Sequence, residues 1–191
     1  MGTLRTLIVA AVASIVLALG AASATKAENP KTAPLLNNLF AELKVAKNSR
    51  TALELEQRIW HAWYQSGDPD IDRLMRQARI ALGERRMKEA LEVADEVVKR
   101  APNYSEGWNF RATALFLDNR LEASMRDVAK VLTLEPRHFG ALSGSALILL
   151  RRGKKSAALK AIKHALEIHP YLRGAANIIR QAGGAEEGDP I

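Results

Sequence analysis

The sequence predicts an all-α fold built of stacked helix hairpins, on three observations. Pro102, Pro136 and Pro170 recur at an interval of 34 residues. Within each unit the apolar or small positions step by 4, 3, then 9, 4, 3, which is helical i, i+4, i+7 spacing on either side of a turn. Ala, Leu, Glu, Lys and Arg dominate the composition, and aromatic residues make up only 5%, a balance that favours helix over sheet. No stretch alternates apolar and polar residues for long, so no sheet is expected.

Taken in order, residues 1–27 read as a secretory signal. Arg5 and the α-amino group precede an uncharged run from Leu7 to Leu19, and cleavage patterns follow at Ala22-Ser23-Ala24 and Thr25-Lys26-Ala27. Cleavage after Ala24 or Ala27 is expected, with bacterial Sec export to a periplasm or beyond. Leu7 to Ala24 also approaches the length of a membrane span, so an N-terminal anchor in the inner membrane is the alternative.

Residues 33–66 form a further helix pair outside the 34-residue register. Thr32 is expected to cap it, with Pro34 in its first turn. Leu35, Leu36, Leu39, Phe40 and Leu43 make one stripe; Ala52, Leu55, Ile59 and Trp63 make the next. The expectation is a degenerate repeat that caps one end of the array. Trp60-His61-Ala62-Trp63-Tyr64 is read as core packing within it.

The three clear units span 71–104, 105–138 and 139–172. Ala78, Ala112 and Ala146 share one column, and Ala90, Ser124 and Ala158 another; only small side chains let two helices cross at about 8 Å. Helices are expected near 71–82 and 87–99, 105–117 and 121–133, and 139–151 and 155–167, with turns at Gly83-Glu84-Arg85, Asp118-Asn119-Arg120 and Arg152-Gly153-Lys154. Leu172, Ala175, Ala176 and Ile179 predict a closing helix over 173–182. Residues 183–191 are predicted to be a disordered acidic tail.

Composition narrows the chemistry. The chain has 191 residues and no cysteine, which removes disulfides, a thiolate nucleophile and thiolate-held metal. The net charge is +7; without residues 1–27 there remain 26 bases against 21 acids, a scattered excess. Export argues against nucleic acid. No P-loop, G-x-G-x-x-G, G-x-S-x-G or H-E-x-x-H is present. His61, His138, His164 and His169 are not spaced as metal ligands, and His138 and His169 suit helix ends. The carboxylates Glu84, Glu89, Glu92, Asp95 and Glu96 lie on solvated faces. No cofactor, metal or catalysis is expected.

The period, the series Trp108, Ala112, Leu115, the later alanine columns and the terminal prolines resemble tetratricopeptide repeats over 71–172. The segments Trp108-Asn109-Phe110-Arg111-Ala112-Thr113 and 134–144 also resemble exported proteobacterial proteins of this family with no assigned chemistry. The resemblance implies a protein or peptide partner held in a concave groove lined by the first helix of each repeat. By register that wall is Asp72, Met75 and Arg79; Glu106, Asn109, Thr113 and Phe116; Gly140, Ser143, Leu147 and Leu150. The positions matching the family's carboxylate clamp read Met75, Arg79, Phe110, Gly140 and Gly144, so that specificity is not carried over. Asn109 is expected to read backbone, because a carboxamide both donates and accepts. The expected function is a non-catalytic adaptor, scaffold or assembly factor of the envelope. The alternative is a domain contacting anionic cell-wall glycan or lipid through a basic edge of Arg85, Arg86, Arg151, Arg152, Lys154 and Lys155, membrane contact being at most peripheral.

Overall fold

The computed structural model describes residues 32–183. The signal segment 1–27 and residues 184–191 of the acidic tail lie outside the described residues. Among the described residues there are helices and turns and no strand. The helices are α1 (Ala33–Lys44), α2 (Ser49–Trp63), α3 (Pro69–Gly83), α4 (Met87–Arg100), α5 (Ser105–Leu117), α6 (Leu121–Leu134), α7 (Phe139–Arg151), α8 (Lys155–Ile168) and α9 (Ala175–Gln181). None is long and apolar enough to cross a membrane.

Local chemistry sets the helix starts. Asn48 Oδ1 accepts from the Thr51 N–H at 2.9 Å and opens α2. Asp68 Oδ1 accepts from the Asp70 N–H at 2.8 Å, with Pro69 in the first turn of α3. His138 caps α7 through Nδ1, which accepts from the Ala141 N–H at 3.0 Å. Thr32 stands at the start of α1, but its side chain makes no capping hydrogen bond, contrary to expectation.

The turns between paired helices are built alike. Arg85, Asn119 and Gly153, 34 residues apart, all sit at positive φ, 60°, 59° and 71°. The next amide then reaches back over the helix end, as Arg86 N–H to Ala81 O, Arg120 N–H to Leu115 O and Lys154 N–H to Leu149 O, each at 2.8 Å. This left-handed closure of a helix C-terminus suits glycine or asparagine; Arg85 adopts it against its preference.

Three hairpins follow, α3 with α4, α5 with α6, α7 with α8; α4 packs on the second hairpin, α6 on the third and α8 on α9. The small columns lie at these crossings, with Ala78, Ala112, Ala146, Ala90, Ser124 and Ala158 all buried. Ser124 keeps the crossing polar but satisfied, since its Oγ donates to Ala112 O at 2.7 Å. Arg111 ties three helices together. Its guanidinium forms a forked pair with the buried Asp127 of α6 at 2.7 and 2.8 Å and reaches Asp95 of α4 at 2.8 Å.

The N-terminal pair departs from expectation. α1 and α2 do not cover the exposed end of the first repeat. They pack instead on the third: Phe139 joins the core of Leu36, Leu39, Phe40, Leu55, Ile59 and Trp63, with Ile168, Tyr171 and Leu172 against it, and α1 touches α8. The aromatic residues of α2 explain the docking. Trp60 and Trp63 are too large to be buried within a two-helix hairpin, and Phe139 and His138 supply the matching surface. α9 also covers the third repeat, packing Ala175 and Ile178 on Leu142, Ala146 and Ile162.

Candidate functional site

The first helices α3, α5 and α7 form one face, and the N-terminal hairpin lies across part of it. Gly140 admits this approach: a Cβ there would stand 2.7 Å from Cη2 of Trp60. Tyr64, just past α2, stacks under the Arg79 guanidinium, 5.1 Å from its ring centroid, and its carbonyl accepts from the Tyr104 hydroxyl at 3.2 Å. Burial pushes the Tyr104 phenol well above its ordinary pKa, so it remains a donor. The side of the face beside Arg79, Glu106 and Gly140 is therefore lined by the chain's own Trp60 and Tyr64.

The remainder is open. A cavity of about 350 Å³ runs between α5 and α7, bounded by Asn109, Thr113, Phe116, Ser143, Gly144 and Leu147, with Trp60, Glu56 and Leu172 at its hairpin side. A second hollow of about 430 Å³ continues past Phe116 and Leu147 to Leu150, Arg151, Lys155 and Gln181. The surface offered is mainly apolar carbon. Gly144 has no neighbour within 4 Å of a hypothetical Cβ, so backbone is bare at the middle of the groove.

Of the expected wall, Thr113, Phe116, Ser143, Leu147 and Leu150 do line these hollows. Met75 does not. It is only 1% exposed and packs with Ile71, Ala78, Val97 and Phe110, because a long thioether reaches the core from a column that holds Asn109 and Ser143 elsewhere. Glu106 is likewise not an exposed wall residue, being 1% exposed. Its carboxylate accepts two hydrogen bonds from Asn109 Nδ2, at 3.1 and 2.9 Å, and His138 Nε2 lies 3.6 Å away. Asn109 is thus tied first to the buried Glu106 side chain, with its donors turned inward, and not free to pair in both directions with a peptide backbone. Arg79 is committed to Tyr64, and Asp72 accepts from the backbone and hydroxyl of Ser66 at 3.0 and 2.6 Å, holding the loop before α3.

The basic edge is weaker than its residue count. Arg86 is paired with Glu84 and Glu89, and its charge is reinforced by those two hydrogen bonds. Arg152 lies 3.5 Å from Glu122. Arg151 turns away toward the groove: its guanidinium sits 3.9 Å from the Phe116 ring centroid and donates to Phe116 O at 3.1 Å. Arg85, Lys154 and Lys155 remain exposed at their turns.

Two buried histidines were foreseen only as helix-end residues. His138 stacks on Trp63 and His169 meets Glu56, Nε2 donating to Oε2 at 3.2 Å. That hydrogen bond holds the Glu56 carboxyl below its usual pKa, against the opposing effect of partial burial. The signal in the sequence was the 31-residue interval between two histidines beside prolines; nothing in it pointed to Glu56. Among the described residues no group of three or more potential ligands converges on a metal position.

Comparison with known proteins agrees with this architecture. A family profile described as tetratricopeptide repeat matches residues 75–133. A TPR repeat-containing protein of Rhizobium etli is 41% identical over 140 residues, covering 73% of this chain and 69% of its own. Among solved structures, the TPR2B domain of yeast Sti1 in a complex with Hsp70 aligns with a TM-score of 0.58 at 18% identity, over 61% of this chain and 98% of that one. The first TPR domain of Spaghetti, bound to an HSP90 peptide, gives 0.56 at 19% identity, over 58% and 87%. A thermophilic TPR protein of Thermus thermophilus gives 0.55 at 22% identity, over 78% and 82%.

Proposed function

The chain belongs to the tetratricopeptide-repeat family, and from that premise we propose that it is an exported, non-catalytic protein-interaction module that holds a peptide segment in the open part of its groove. The fold is one typical of protein–protein interaction modules. The observation that supports the reading most is the apolar channel between α5 and α7, where Phe116 and Leu147 stand beside the bare backbone at Gly144. Concave apolar surface with a few polar groups is what a recognition site requires. The Sti1 and Spaghetti domains were each solved with a chaperone partner or its peptide, which favours the same class of ligand here. An extended segment fits better than a whole helix, because the hairpin narrows one side of the channel.

Export rests on residues 1–27 alone. A mature mass beginning between Thr25 and Glu28 would support it, and intact Met1 in the membrane pellet would show an anchor.

Panning a displayed peptide library on the immobilised chain tests the groove. Peptides captured by the native chain are expected to be lost by Phe116→Ser with Leu147→Ser at a temperature where circular dichroism shows the variant still folded. Both residues are only part-buried. Peptides that bind the double variant equally well would remove the groove from the reading. The edge reading is less favoured, since Arg86 and Arg152 already face carboxylates.

A further inference from the structure

Residues 184–191, Gly-Ala-Glu-Glu-Gly-Asp-Pro-Ile, carry three carboxylates and no base. They follow α9 after Ala182 and Gly183, and Gln181 of α9 forms part of the wall of the second hollow with Phe116, Leu147, Leu150, Arg151 and Lys155. The chain therefore leaves the described structure at the rim of its own groove.

The rim is chemically incomplete. Arg151 and Lys155 have no carboxylate within ion-pairing distance among the described residues, whereas Arg86, Arg111 and Arg152 each do. Arg151 is also held in place, over the Phe116 ring and on its carbonyl. Its charge is fixed at the border of an apolar surface.

We propose that segment 184–191 docks in the open groove of its own molecule. Glu186, Glu187 and Asp189 would face Arg151 and Lys155, and Pro190-Ile191 would enter the apolar stretch at Phe116 and Leu147. The proposal rests on the groove being a binding surface, and it names the ligand class: a short acidic segment with an apolar residue after its charges. Eight residues span up to roughly 26 Å, enough to pass from Gln181 along the second hollow toward the first. A short tether supplies an effective concentration on the order of 1 mM. Even a segment with a Kd of about 100 µM when free would then keep the groove roughly nine-tenths occupied. A partner must compete with it, so the groove presents a threshold as well as a surface.

The test is a fluorescence-anisotropy titration of a labelled synthetic peptide of sequence 184–191 against the full chain and against a variant ending at Gly183. The truncated chain is expected to bind about tenfold more tightly than the full chain, by the same tether arithmetic. Lys155→Glu in the truncated chain, and Arg151→Glu with it, should each weaken binding several-fold, as should raising salt from about 50 to about 300 mM. Lys155 is exposed, so its variant separates charge loss from misfolding. Equal affinity for both chains, or none for either, overturns the proposal. Masking that appears only as the full chain self-associates in sedimentation also overturns it, in favour of exchange between copies. Library peptides that still bind the truncated chain through Phe116 and Leu147, when the 184–191 peptide does not, would sink self-docking and leave the groove reading standing. Failure of both peptide sets would remove both.

Discussion

Trp63 and His138 lie face to face, with ring centroids 4.1 Å apart and planes 4° from parallel. Trp63 belongs to the N-terminal hairpin and His138 begins α7, so one stack joins the hairpin to the third repeat. His138 does two things at once: its ring faces Trp63 while Nδ1 caps α7.

The two roles can be separated. His138→Asn keeps an N-cap acceptor and loses the ring; His138→Ala loses both. A cap is worth about 1 kcal/mol, so in urea denaturation the alanine variant should be less stable than the asparagine variant by about that amount. Equal midpoints would show that the cap contributes nothing.

Gly140 and Gly144 lie one turn apart on α7 and should respond oppositely. Gly140→Ala drives a methyl group into Trp60, which is itself wedged against His138 and Phe139; overpacking of this kind costs about 1–3 kcal/mol. Gly144→Ala meets nothing within 4 Å and gains helix propensity, up to about 1 kcal/mol. Thermal melting of the two variants should move in opposite directions.

Arg85 holds a left-handed conformation that its 34-residue equivalent Gly153 adopts without strain. Arg85→Gly should raise stability by about 0.5–1 kcal/mol, the relief of strain less the added entropy of the unfolded chain. A drop on chemical denaturation would mean that the arginine makes a compensating contact.

Asn109→Ala removes the donor that meets both oxygens of buried Glu106. Leaving a buried polar group unsatisfied costs about 1–3 kcal/mol. Asn109→Ala should therefore melt early even with no ligand present. A melting temperature equal to wild type would return Asn109 to the role of a peptide-reading residue.

The Glu56–His169 contact predicts an acid limb. The folded-state pKa of Glu56 lies below its usual value near 4.5, so the contact's contribution is complete above that value and fades as pH falls through the lower folded one. Glu56→Gln should flatten the loss of stability below about pH 4.5. A wild-type and variant pair with parallel acid limbs would show that other carboxylates control it.

The repeats were legible because their determinants are local and recurrent. Ala78, Ala112 and Ala146 mark crossings that any stack of such hairpins must make, and the turns at Arg85, Asn119 and Gly153 carry polar or glycine residues at one fixed offset. The site was legible only where a side chain's fate depends on its own helix, as at Phe116 and Leu147. Met75 was misplaced because its burial depends on Phe110 of the next repeat. Glu106 and Asn109 looked like two exposed polar residues and are one hydrogen-bonded pair with Glu106 buried. The docking of α1 and α2 left no trace at all, since Trp60 meets Gly140 across 80 residues of chain and no period connects them.

Arg137 reaches Asn37 at 2.7 Å, and His169 reaches Glu56, across 100 and 113 positions of sequence. A stack of repeats that touch only their neighbours unfolds piecemeal, from its ends inward, with a stability that is close to a sum over units. Here residues near the start of the described chain are fastened to the last repeat and to the turn that leads into it. Fraying of the third repeat must strip the hairpin from His138 and Phe139 at the same time, so its loss is not local. The same fastening raises the mean sequence separation of contacts, which slows folding relative to a simple array. Denaturation should therefore be a single sharp transition, and hydrogen exchange in α1 and α2 should track exchange in α7 and α8 more closely than exchange in α3, their neighbour along the chain.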